Sequence, residues 1–133
     1  MTTIKSYTDL EQSKKLAEIL PLESADMYYE EVCNLPKVIV GNYILHNQCM
    51  EDKDYKKLSN PVLSPAWSLA ALLGVLPKRI ELEGVAYELS IYLNGLYYWN
   101  VNNGNLLLEV KGKDNLVDAC VAMIEKLNEL NLI

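Results

Sequence analysis

Apolar side chains recur along this chain with a helical period near its start, in its centre and at its end, and with an alternating period between centre and end. Leu10, Leu16, Ala17 and Leu20 fall on one helical stripe, with Glu11, Gln12, Lys14, Lys15 and Glu18 outside it. Thr8 and Glu11 match a capping box and Pro21 a stop, so the pattern predicts a helix over 9–20 lying on the surface of a core. Between Pro65 and Pro77 the only polar side chain is Ser68, and apolar groups at 69, 72, 73 and 76, flanked by 67, 71 and 75, cover most of a helical circumference. With Ser64 as cap and Pro65 at the first position, this predicts a buried central helix over 65–76.

From Arg79 the period becomes two. Glu83-Gly84 and Asn94-Gly95 are two-residue turn signals, because a type I′ turn needs positive φ at both central residues. A four-stranded antiparallel meander is therefore expected over about 79–110. Its register puts Ile80, Leu82, Val85, Tyr87, Leu89, Ile91, Leu93, Leu96 and Tyr98 on a core face. Glu81, Ala86, Glu88, Ser90, Tyr92, Tyr97 and Trp99 share the other face. A three-residue loop Asn103-Gly104-Asn105 keeps Leu106, Leu108 and Val110 in the core. Asp114-Asn115 then cap a closing helix over 114–130 whose stripe is Leu116, Cys120, Met123, Leu127 and Leu130.

Upstream, Val38-Ile39-Val40 suits a strand, with Gly41 marking a bulge or its end. Met27-Tyr28-Tyr29 is either a short strand or the end of a helical turn, strand being preferred, and Met50 to Pro61 is a charged loop. The expected fold is a single α+β domain over 1–133, a two-layer sandwich with the meander covered on one face by the three helices.

Composition narrows the function classes. A half-apolar chain of 133 residues can bury one core. Its net charge of −6, from 12 basic and 18 acidic residues, argues against nucleic acid as a partner. The start Met1-Thr2-Thr3-Ile4-Lys5-Ser6 lacks a signal-peptide run and no segment is long enough for a membrane span, so a cytoplasmic protein is expected. Three cysteines at irregular spacing, Cys33, Cys49 and Cys120, suit reduced thiols.

Three stretches together carry a resemblance: Glu11-Gln12-Ser13-Lys14-Lys15-Leu16 leading into Ala25-Asp26-Met27-Tyr28-Tyr29, then Pro65 to Leu73 with Pro77, and Asp118-Ala119. The chain resembles a family of small uncharacterised proteins encoded in gut-bacterial genomes, often on prophages or other mobile elements. That resemblance implies an accessory role in the host cell or its phage and carries over no site residue.

Four constellations bear on chemistry. His46 with Cys49 and Cys33 could start a metal site, but structural zinc wants four ligands in short pairs and only one such pair exists, so no metal or cofactor is expected. Cys49 or Cys33 activated by His46 would make a thiol enzyme, the competing class. No nucleophile elbow, zinc-protease motif or phosphate loop accompanies them. The carboxylates Asp26, Glu30 and Glu31, and Glu51, Asp52 and Asp54, read as solvated charge. The aromatic face of the meander, Tyr92 paired with Tyr97 and Ser90 with Trp99, stabilises the sheet and also carries the residue types enriched at binding hot spots. Either segment 22–63 covers part of that face, or it is open to a protein partner or a second copy. A non-enzymatic interaction protein using Tyr92, Tyr97 and Trp99 is the expectation.

Overall fold

The computed structural model describes residues 5–32, 35–40 and 62–133. Their elements run α1 (Leu10–Ala17), β1 (Met27–Val32), β2 (Leu35–Val40), β3 (Val62–Ala66), α2 (Leu69–Val75), β4 (Arg79–Leu82), β5 (Val85–Tyr92), β6 (Gly95–Trp99), β7 (Leu106–Val110) and α3 (Leu116–Glu129). Helices combined with two antiparallel sheets make the fold α+β. The chain divides into two compact units, Tyr7–Ala71 and Leu72–Ile133, the latter joined by the residues before Tyr7.

In the first unit the sheet order is β2-β1-β3, both pairs antiparallel, with Met27 opposite Val40 on one side and Ala66 on the other. Met27-Tyr28-Tyr29 is thus a central strand, and Val38-Ile39-Val40 lies in its neighbour. α1 packs against β3, a partner the sequence pattern did not foresee. Its cap is Asp9, whose carboxylate accepts from the Gln12 amide at 2.8 Å while Gln12 Oε1 accepts from the Asp9 amide at 3.1 Å. Thr8, the expected cap, is fully buried instead. Its amide donates to the Trp67 carbonyl at 3.0 Å, its Oγ1 accepts from the Trp67 amide at 3.2 Å, and that hydroxyl lies 2.7 Å from Ser13 Oγ. A buried hydroxyl needs partners, and tertiary ones outweigh a cap that solvent could replace.

Ser64, Pro65 and Ala66 belong to β3, so the central helix begins four residues later than proline placement implied. Proline lacks an amide for the ladder, which confines it to an edge, and β3 is an edge strand. Ser68 takes over the capping: its Oγ accepts from the Ala71 amide at 3.1 Å. Asp26 holds it there, accepting from the Ser68 amide at 2.9 Å and from the Ser68 hydroxyl. α2 is less buried than its all-round apolar pattern predicts: only Leu72 is fully buried, and Ala70 and Gly74 are exposed, a methyl group and a bare backbone having almost nothing apolar to shelter.

The second unit holds the four-stranded meander β4-β5-β6-β7. Glu83-Gly84 forms the first turn with φ +52° and +78°, as a type I′ turn requires. α3 packs against β6 and β7, and Leu96, Tyr98 and Val110 are buried on the sheet together with Val117, Cys120, Met123, Ile124 and Leu127 of the helix. Leu130, expected on that stripe, is 52% exposed because the helix ends before it. Asn115 caps α3, accepting from the Asp118 amide at 2.8 Å, and Lys5 reaches Asp118 at 2.8 Å.

The β6–β7 loop is longer than expected. The Asn100 amide donates to the Asn105 carbonyl at 2.8 Å, and Gly104, with φ +73°, turns the chain back. Asn100 organises this loop: its Oδ1 accepts from the amides of Asn102 and Asn103, and its Nδ2 donates to the Ala86 carbonyl at 3.0 Å. A register shift follows, so Leu108 and Val110 face the core opposite Tyr98 and Leu96. Leu106 does not join them: it stands opposite Trp99 and is 55% exposed. No helix among the described residues is long and apolar enough to cross a membrane.

Candidate functional site

The hairpin β5–β6 carries the aromatic face. Its turn is Leu93-Asn94, one residue before the expected Asn94-Gly95, and the pairs are Tyr92 with Gly95, Ser90 with Tyr97 and Glu88 with Trp99. The expected pairs, Tyr92 with Tyr97 and Ser90 with Trp99, are thereby corrected. Gly95 is spent on room: a Cβ there would sit 3.1 Å from the Tyr97 hydroxyl and 3.1 Å from the Val110 carbonyl. Leu93 takes the positive φ, +55°, in its place. Moving the turn by one residue slips both strands equally, so the paired side chains keep their faces, but two core expectations are corrected: Leu93 becomes an exposed turn residue, and Ile91, next to the turn, is 47% exposed.

Leu93 is 80% exposed, so its left-handed backbone costs strain without compensating burial. Leu93→Gly is expected to raise stability by about 0.5–1 kcal/mol, the relief of about 1–2 kcal/mol of strain exceeding glycine's added chain entropy. The urea midpoint at unchanged slope measures it, and a lowered midpoint contradicts it.

On this face Tyr92 is 68% exposed, while Tyr97 and Trp99 are half-buried. Trp99 is held in place: its Nε1 donates to Ser90 Oγ at 2.7 Å. Leu106 opposite it extends the apolar strip to the sheet edge. The buried side chains against α3, Leu96, Tyr98 and Val110, are on the opposite face, so the helix and the rings occupy different sides of the sheet.

At the turn end of the face a cavity of about 490 Å³ opens, lined by Tyr92, Leu93, Tyr97, Lys111 and Lys113 with backbone around Gly95 and Gly112. Gly112, at φ +76°, bends the chain after β7 so that both lysines line it. Asn94 closes one wall by donating from Nδ2 to the Asp114 carbonyl at 3.3 Å. Sequence reasoning passed over Lys111-Gly112-Lys113; its one signal was a glycine between two cations directly after a strand.

The other candidates fare differently. Cys120 is fully buried, and burial pushes its thiol up to about 12, which leaves it without thiolate for catalysis. Burial first, and the neighbouring Cys120 second, raise the Tyr98 phenol, whose hydroxyl donates to the Pro77 carbonyl at 2.6 Å. Asp26 is engaged in capping α2 through Ser68. His46, Cys33, Cys49, Glu51, Asp52 and Asp54, and the side chain of Glu31, lie outside the described residues. Among the described residues no three His, Cys, Asp or Glu side chains are placed to hold a metal. Comparison with family models, curated proteins and solved structures returns no match for this chain.

Proposed function

We propose that the protein is a non-enzymatic interaction or accessory protein that contacts a protein partner or a second copy through Tyr92, Tyr97 and Trp99. One observation carries this reading: three large rings and Leu106 share the sheet face opposite the one α3 packs on, with Tyr92 two-thirds exposed. Tyr92 stands opposite Gly95, so it has no cross-strand side chain to pair with and its ring is left on the surface. Aromatic anchors fixed by a hydrogen bond, as Trp99 is by Ser90, bind at low entropic cost. An accessory role in a bacterial host or its phage fits the resemblance carried by 11–16, 25–29, 65–73 with Pro77, and Asp118-Ala119.

Tyr97→Ala with Trp99→Ala tests it. Partner capture from the native host, or self-association measured by sedimentation, is expected to weaken by at least about tenfold, as for hot-spot rings. Circular dichroism and amide exchange check that the sheet persists. Unchanged capture and unchanged association in a folded variant overturn the reading.

A further inference from the structure

We infer that the corner where the aromatic face meets Lys111 and Lys113 receives an acidic segment of a partner protein, a carboxylate seated between the two ammonium groups and an apolar or ring side chain against Tyr92 and Tyr97. This rests on the aromatic face being a contact surface and names the chemistry of what it contacts. The charge of this corner is opposite in sign to that of the whole chain. In a chain with 18 acidic and 12 basic residues, the lining of the cavity contains two lysines and no carboxylate. Among the described residues Lys113 makes no ion pair, and Lys111 has only a long one, 3.6 Å to Glu109, with its own side chain 72% exposed. An exposed pair of that length is worth little and exchanges readily for a better acceptor.

A second cavity of about 330 Å³ adjoins the same two lysines and adds Lys126. Lys126 Nζ donates to the Glu109 carbonyl at 2.7 Å on the edge strand β7. That bond occupies the edge where an added strand would pair, so recognition here runs through side chains. Lys111 and Lys113 line both cavities and Lys126 the second, where the one carboxylate, Glu109, is already paired with Lys111; this suits a short acidic segment that reaches from the Tyr92–Tyr97 corner past both lysines. Three lysines are too few to hold a nucleic acid against a net charge of −6.

The test uses the full chain and a short peptide alternating glutamate with tyrosine, together with its counterpart carrying lysine for glutamate. The acidic peptide is expected to shift the amide resonances of residues 92–97 and 111–113 and to lose affinity as salt rises. Lys111→Gln with Lys113→Gln, both at exposed positions, is expected to weaken it by about tenfold. No binding, binding indifferent to the double glutamine change, equal binding of the lysine peptide, or tighter binding of single-stranded oligonucleotide at the same residues overturns the assignment. So does a dimer that depends on Lys111 and Lys113, which would make a second copy the occupant. If Tyr97→Ala with Trp99→Ala weakens partner capture while the acidic peptide fails, the acidic assignment falls and the contact surface stands; if neither responds, both fall.

Discussion

Trp67→Ala is expected to cost about 3–5 kcal/mol of stability, the range for emptying a buried tryptophan site. Trp67 has no exposed surface. Its ring N–H donates to Ser24 Oγ at 2.9 Å, and Ser24 in turn donates to the Pro21 carbonyl at 2.6 Å, so one side chain ties the turn after α1 to the segment between β3 and α2. Its backbone is bound on both sides to Thr8, and the Tyr29 hydroxyl donates to the Thr8 carbonyl at 2.8 Å. Alanine keeps the backbone bonds and loses the filling and the ring bond. Trp67→Phe separates the two: it retains most of the volume and forfeits the bond, an expected loss of about 1–2 kcal/mol. Urea denaturation followed by circular dichroism measures both. A cost under about 1 kcal/mol for alanine contradicts the central place given to Trp67 here.

Alkaline pH is the second lever. Burial pushes the Cys120 thiol from 9.0 up to about 12 and raises the Tyr98 phenol above its ordinary 10.0. In the unfolded chain both groups release their protons at the ordinary values, while the folded chain holds them. The unfolded state therefore binds fewer protons in that window, and stability falls as pH rises. The contribution is fully present below pH 9 and is lost towards pH 12, at about 1.4 kcal/mol per pH unit for Cys120 and about twice that once Tyr98 joins above pH 10. Urea midpoints taken below and above pH 9 measure the slope. In Cys120→Ala the onset is expected to move up to the tyrosine range. A flat profile through pH 10, or an unmoved onset in that variant, contradicts the buried-thiol account.

The same chemistry bears on function. A thiol held protonated against the sheet is a poor nucleophile at neutral pH, which sets Cys120 apart from the thiol chemistry weighed for Cys33 and Cys49, residues that lie outside those described.

Local pattern carried much of the second unit. Alternation from Arg79 to Tyr98 sorted the paired strand residues by face even though the β5–β6 turn sits one residue early, because a turn displaced by one residue slips both strands together and preserves parity; it failed at Leu93 and Ile91, which the displaced turn leaves exposed. The Cys120, Met123 and Leu127 stripe of α3 was visible for the same reason, since helical period alone places it. The lysine corner was not, because it depends on a positive φ at Gly112 that bends the chain towards Tyr97.

What the amino-acid order settled without help is therefore the set of amphipathic periods: three helices, a meander, and a ring-bearing face opposite an oily one. What only the folded chain decided is where competing partners went. Thr8 left its capping role for Trp67 and Ser13, Pro65 joined an edge strand, and Gly95 gave its space to the Tyr97 ring. In each case a short-range preference worth about 1 kcal/mol yielded to burial or a hydrogen bond of comparable or greater strength, and a partner distant in sequence took part: Trp67 for Thr8, strand β1 for Pro65 and the Val110 carbonyl beside Gly95.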